Sequence, residues 1–147
     1  RRLNAVLVPR GLRIVPMRFM QSRVLLYLYR PEALRRDLAD SAAQDILREC
    51  GYGKCSRAES CLSCLIDRLR NNADFPHEVG LFLGYPPEDV RGFIENRAQN
   101  FKRAGLWKVY GDEEKARSLF AKYKKCTEIY CALWQSGSKL EQLAVAV

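Results

Sequence analysis

The run LRIVPMRFMQSRVLLYLYR, residues 12–30, is where the class of fold becomes readable. Residues 12–19 and 24–30 are dense in Val, Ile, Leu and Tyr, and Met20-Gln21-Ser22 separates them, which predicts a β-hairpin. In Val24-Leu25-Leu26-Tyr27-Leu28-Tyr29 both alternating faces are apolar, so this strand is expected to be covered on both sides or to be central in its small sheet. Around the hairpin nearly everything reads as helix. Residues 3–8 resemble the last turns of a helix closed by Pro9 and Gly11. Pro31 suits the first turn of a helix reaching about Ala39, and Asp40 or Ser41 caps another that runs to Cys50.

Further along, Ser56-Arg57-Ala58-Glu59 matches a capping box, and the helix after it carries Ala58, Cys61, Leu62, Leu65 and Leu69 on one stripe. Asp74 is placed to cap a helix from Phe75 or Pro76 to Leu83. Pro87 opens the next, with Val90, Phe93 and Ile94 turned inward. Residues 106–110 form a short strand candidate that could pair with the hairpin. Asp112-Glu113-Glu114 sets three acids at a helix N-terminus, where the dipole favours them. That helix continues to about Trp134 with a stripe of Ala116, Leu119, Phe120, Tyr123, Cys126, Tyr130 and Leu133. The expectation is a single α+β domain over residues 1–147: a small antiparallel sheet, made of the hairpin plus one short strand from the C-terminal half, packed against five or six helices.

A chain of 147 residues can bury a core without disulfides or metals, since a domain of this size buries roughly 70% of its unfolded surface. The longest apolar run, Val24 to Tyr29, is far short of the roughly 20 residues that span a bilayer. Arg1 and Arg2 precede only a brief apolar patch and Pro9-Arg10-Gly11, which is not a signal-peptide pattern. A cytoplasmic protein with no membrane partner is expected. The chain has no initiator Met and begins within an element, so an N-terminal portion is expected to be missing. The formal charge of +8 is uneven: residues 1–36 hold nine Arg and one acid, residues 37–96 are net acidic, and residues 97–125 are basic again. Such asymmetry points to nucleic acid or to an acidic partner.

Three segments bear on chemistry. Cys50, Cys55, Cys61 and Cys64 fall within fifteen residues and are candidate ligands for zinc or an iron–sulfur cluster, although the gaps match neither a zinc ribbon nor a ferredoxin. Cys61 and Cys126 also lie on apolar stripes, where a thiol serves as a small hydrophobe. His77 is the only imidazole; without a nucleophile or ligand pattern beside it, it does not amount to a mechanism. Residues 79–94 meet the steric needs of a helix-turn-helix, with Gly80 at the crossing and Gly84 at the turn. Its would-be recognition helix presents Glu88, Asp89 and Glu95, which oppose phosphate neutralisation. Duplex recognition is therefore disfavoured; if nucleic acid is bound, Arg13, Arg18, Arg23, Arg91 and Arg97 are the candidates.

The stretches Phe75-Pro76-His77-Glu78-Val79-Gly80-Leu81-Phe82-Leu83-Gly84-Tyr85-Pro86 and Glu88-Asp89-Val90-Arg91-Gly92-Phe93-Ile94 resemble the bacterial domain of unknown function 3793 family. So do Gly105-Leu106-Trp107-Lys108-Val109-Tyr110-Gly111-Asp112 and Tyr123-Lys124-Lys125-Cys126-Thr127. The resemblance runs over essentially the whole chain. It implies a family of unknown function found mainly in anaerobic Gram-positive bacteria, whose members usually carry an additional N-terminal segment, and a context of flavodoxin-like or iron-uptake proteins. Leu106 stands where many such relatives are expected to carry a polar or Cys residue, which weakens a cysteine-ligand site. The functional expectation is a non-enzymatic binding or accessory module without a cofactor. It would present His77, Glu78, Tyr85, Arg91, Trp107, Lys108 and Tyr110 to a protein partner, acidic or flavodoxin-like.

Overall fold

The computed structural model describes residues 2–53, 55, 57–72 and 74–145. It is α+β, with short antiparallel pairs set among helices. Helix α1 (Arg2–Leu7) tightens into a 3₁₀ turn at Val8–Arg10, and Gly11 leaves it at φ 71°, the left-handed exit that glycine adopts without strain. The Asn4 amide both donates to and accepts from the backbone of Ile14 at 2.9 Å, fixing α1 to the first strand.

Strands β1 (Arg13–Phe19) and β2 (Val24–Tyr29) form the expected hairpin. Pairing steps from Pro16↔Leu26 directly to Arg18↔Leu25, leaving Met17 as an extra residue. Pro16 lacks an N–H to give to the ladder, and the resulting bulge turns Met17 into the core, where it is 3% exposed. The core is completed by α2 (Pro31–Leu38), α3 (Ser41–Glu49) and α4 (Ala58–Asn71). Asp40 caps α3 by accepting from the amides of Ala42 and Ala43. Leu38, Ile46, Leu65 and Leu69 are fully enclosed, each contributing about 2 kcal/mol of burial. The proposed cap Ser56 lies outside the described residues.

The C-terminal half adds α5 (Val79–Phe82), α6 (Pro87–Glu95), the ribbon β3 (Arg103–Ala104) with β4 (Lys108–Val109), the long α7 (Glu113–Gln135) and α8 (Leu140–Leu143). Asp112 caps α7 through the amides of Glu114 and Lys115. No helix among the described residues is long and apolar enough to cross a membrane.

Four expectations need correction. Strand β2 is neither central nor doubly covered: Tyr27 and Tyr29 turn toward the core, but Val24, Leu26 and Leu28 are 44–55% exposed, because among the described residues the sheet has two strands and its outer face carries no layer. Lys108–Val109 does not join the hairpin but pairs with Arg103–Ala104, its backbone being held instead against α6. The helix expected from Phe75 or Pro76 is a single turn beginning at Val79, and Glu78 rather than Asp74 precedes it. The stripe on α7 is enclosed only at its start: Ala116 is buried, Leu119 and Phe120 half-buried, and every residue from Ala121 to Gln135 exposed.

Candidate functional site

The most constrained part of the molecule is the junction of α5, α6 and the ribbon. Gly84 at φ 73° makes the turn between the helices. Gly80 permits their close crossing, since a Cβ there would stand 2.8 Å from Val90 Cγ2 and 3.1 Å from Tyr85 Cδ2. Gly92 and Gly111 act alike: a side chain at either would collide with the Tyr110 ring or with Glu88.

Asp89 ties the ribbon to this hairpin. Only 4% exposed, its carboxylate accepts from Trp107 Nε1 at 2.7 Å and from the backbone amides of Tyr110 and Gly111 at 2.7 and 2.8 Å. The sequence reading placed Asp89 on a solvent face opposing DNA. It is instead an internal acceptor, satisfied by three donors. Trp107, so fixed, stacks on Tyr85 at 4.7 Å and meets Phe120 edge-on at 4.5 Å. Beside it opens a groove of 410 Å³ whose walls include Phe75, His77, Phe93, Leu106, Trp107 and Lys108. Its lining is overwhelmingly apolar. Lys108 Nζ donates to the Ala98 carbonyl at 2.6 Å and sits 4.7 Å from the Phe101 ring centroid, so its charge closes one end. The His77 ring lies edge-on to Phe93 at 5.2 Å.

On the other side of His77 lies a more polar hollow. Glu78, 3% exposed, accepts from Tyr52 Oη at 2.9 Å and lies 2.9 Å from Arg68 Nε. Arg68 also donates to the Cys50 carbonyl at 2.7 Å and stands 5.2 Å from the Tyr52 ring centroid. Burial, and then the Glu78 charge, raise the Tyr52 phenol far above its ordinary range, so it stays a donor. This network anchors the segment before α5 to α4.

Of the residues expected to form a binding surface, His77, Tyr85, Trp107 and Lys108 line the groove together. Glu78 is internal, whereas Tyr110 is half-buried with its hydroxyl enclosed and without a hydrogen-bond partner among the described residues. Arg91 turns to Glu49 at 3.0 Å and Glu95 at 3.5 Å. Arg13 and Arg18 lie on β1 and Arg23 in the hairpin turn, whereas Arg97 follows α6. Among the cysteines, Cys61 Sγ approaches the Cys55 carbonyl at 3.6 Å and interacts with Cys55 and Cys64, whereas Cys50 faces Glu78 and Arg68. Burial pushes the Cys61 thiol up to about 11 and raises those of Cys50 and Cys64. Among the described residues no three or more His, Cys, Asp or Glu side chains are grouped to hold a metal ion.

The family model described as a protein of unknown function (DUF3793) matches residues 1–144. The chain belongs to that family. No curated protein and no solved structure matches it. For this DUF3793 protein, the residue that sequence reasoning passed over is Asp89, and Glu78, expected on the binding surface, is a buried acceptor instead. The signal for Asp89 was the indole of Trp107, which needs a hydrogen-bond acceptor once it is enclosed.

Proposed function

We propose that this DUF3793 protein is a non-catalytic docking module of the cytoplasm whose groove receives an aromatic or branched aliphatic side chain of an acidic protein partner. The observation that carries this reading is the groove itself. It is apolar, framed by immobilised aromatic rings, and flanked by a lysine, while the two buried carboxylates nearby are consumed by structural bonds. A preformed apolar pocket with few polar groups is the ordinary form of a recognition site. The lone imidazole on its wall lies edge-on to Phe93, and the thiol that shares the neighbouring polar hollow with it, Cys50, has its proton held by burial, which favours binding over turnover. The formal charge of +8 selects for acidic partners through encounter rate and orientation.

Selection from a displayed peptide library, followed by titration of the intrinsic tryptophan fluorescence, tests the proposal. The enriched peptides should carry an aromatic residue or Leu beside Asp or Glu. Binding should weaken at least tenfold in Phe75→Asp, and should also weaken with added salt. Absence of enrichment overturns the reading, as does turnover of a small-molecule panel that His77→Ala abolishes.

A further inference from the structure

From Ala121 to Gln135 every residue of helix α7 is exposed. Tyr123, Cys126, Tyr130 and Leu133 follow one another at spacings of three, four and three, continuing the a/d pattern set by Ala116 and Leu119. This is the seam of a helix that packs against another helix. Ile129 and Trp134 widen it, and Trp134 is 62% exposed. Beside the start of the same stripe lies an apolar cleft of 540 Å³ between Leu106, Phe120 and Tyr123, bordered by Thr127.

We infer that this face is the interface between two copies of the chain, arranged antiparallel about a two-fold axis near Thr127. Trp134 and Phe120 are each seven residues from Thr127 on opposite sides. At 1.5 Å per residue both lie about 10 Å from the axis, so Trp134 of each copy meets the cleft beside Phe120 of the other. A protruding ring and a receiving cleft equidistant from one point make a self-complementary patch, the requirement of an isologous dimer. Charge fixes the orientation. A parallel pair would set the two clusters of Lys122, Lys124 and Lys125 side by side. The antiparallel pair sets the two clusters about 10 Å apart along the helix axis. The half-exposed side chains on this face supply roughly 600 Å² per copy, near the ~800 Å² per partner of a standard interface.

Sedimentation equilibrium and light scattering on the whole chain at tens of micromolar provide the test. The mass expected is that of two 16.9 kDa chains. Tyr130→Glu/Trp134→Glu, and separately Thr127→Glu, should halve it while the urea transition of the α2–α4 core is unchanged, since these positions are exposed and far from that core. A short bismaleimide should link two copies through Cys126, and Cys126→Ser should abolish the link while Cys131→Ser does not. A wild-type chain that stays monomeric overturns the inference, whether or not it sediments with anionic vesicles. So does a dimer that survives the Tyr130 and Trp134 changes. The peptide-binding test depends on groove residues away from Tyr130 and Trp134, so the two readings fail separately.

Discussion

Asp89 concentrates more of the local architecture than any other side chain. Its carboxylate satisfies an indole N–H and two backbone N–H groups that have no other acceptor at that position. Truncation to Ala leaves those donors enclosed and unpaired, and should cost about 3–5 kcal/mol in urea unfolding. Asp89→Asn keeps one acceptor oxygen and turns an amide donor toward the rest, so an intermediate loss is expected. A further residue-scale consequence concerns Cys61, whose proton the folded chain holds up to about 11, chiefly through burial. An unfolded thiol titrates near 8.5. The folded state therefore binds the proton more tightly. That contribution to stability is complete below the unfolded value and is lost as pH rises from about 8.5 through 11. Urea midpoints measured from pH 7 to 10.5 should fall more steeply for the wild type than for Cys61→Ala. Parallel curves for the two chains would contradict this assignment.

At the scale of elements, sequence and structure agree where the determinants are local. The Gly11 exit and the Asp40 and Asp112 caps depend on residues within a few positions of one another, the Gly80–Val90 crossing and the hairpin on residues about ten to sixteen apart across one turn, and each was legible. The failures required knowledge of what lies opposite. Nothing in Val24 to Tyr29 records that its sheet stops at two strands, so an all-apolar strand reads as enclosed when half of it faces outward. Likewise Asp89 looks solvated until Trp107, eighteen residues on, is folded against it. Four of the seven residues expected at the binding surface do share the groove. They share it because Gly84 and Asp89 bring two distant segments together, which charge and aromatic content alone did not reveal. The exposed strand makes its own prediction. Leu26→Lys and Leu28→Lys should each change stability by less than about 0.5 kcal/mol, the range for surface positions. The pair should also lower light scattering on heating, because charge on an apolar edge strand opposes further pairing. A loss of several kcal/mol would mean that the outer face of β2 is enclosed after all.

For the molecule as a whole, the two apolar clusters are unequal. The larger joins the hairpin to α2–α6, and the smaller consists of Trp107, Val109 and Ala116 with Leu119 and Phe120 at its margin. Tyr85 packs on both, and with Asp89 it links the ribbon and α7 to the rest. So small a cluster cannot make the C-terminal region as resistant to opening as α4, whose Leu65 and Leu69 are fully enclosed. Native-state hydrogen exchange should therefore separate into tiers. The α4 amides should exchange most slowly, through global unfolding. Those of the ribbon and the first turns of α7 should exchange through a cheaper partial opening, made cheaper still by Asp89→Ala. From Ala121 to Gln135 the helix has no enclosed side chain, and an unsupported helix of about 15 residues is marginal in water. Its amides should exchange fastest in dilute samples and slow markedly as concentration rises, because a second copy covering the Tyr123–Trp134 face supplies the missing packing. Protection of this segment that is independent of concentration would place its stabilisation within a single chain.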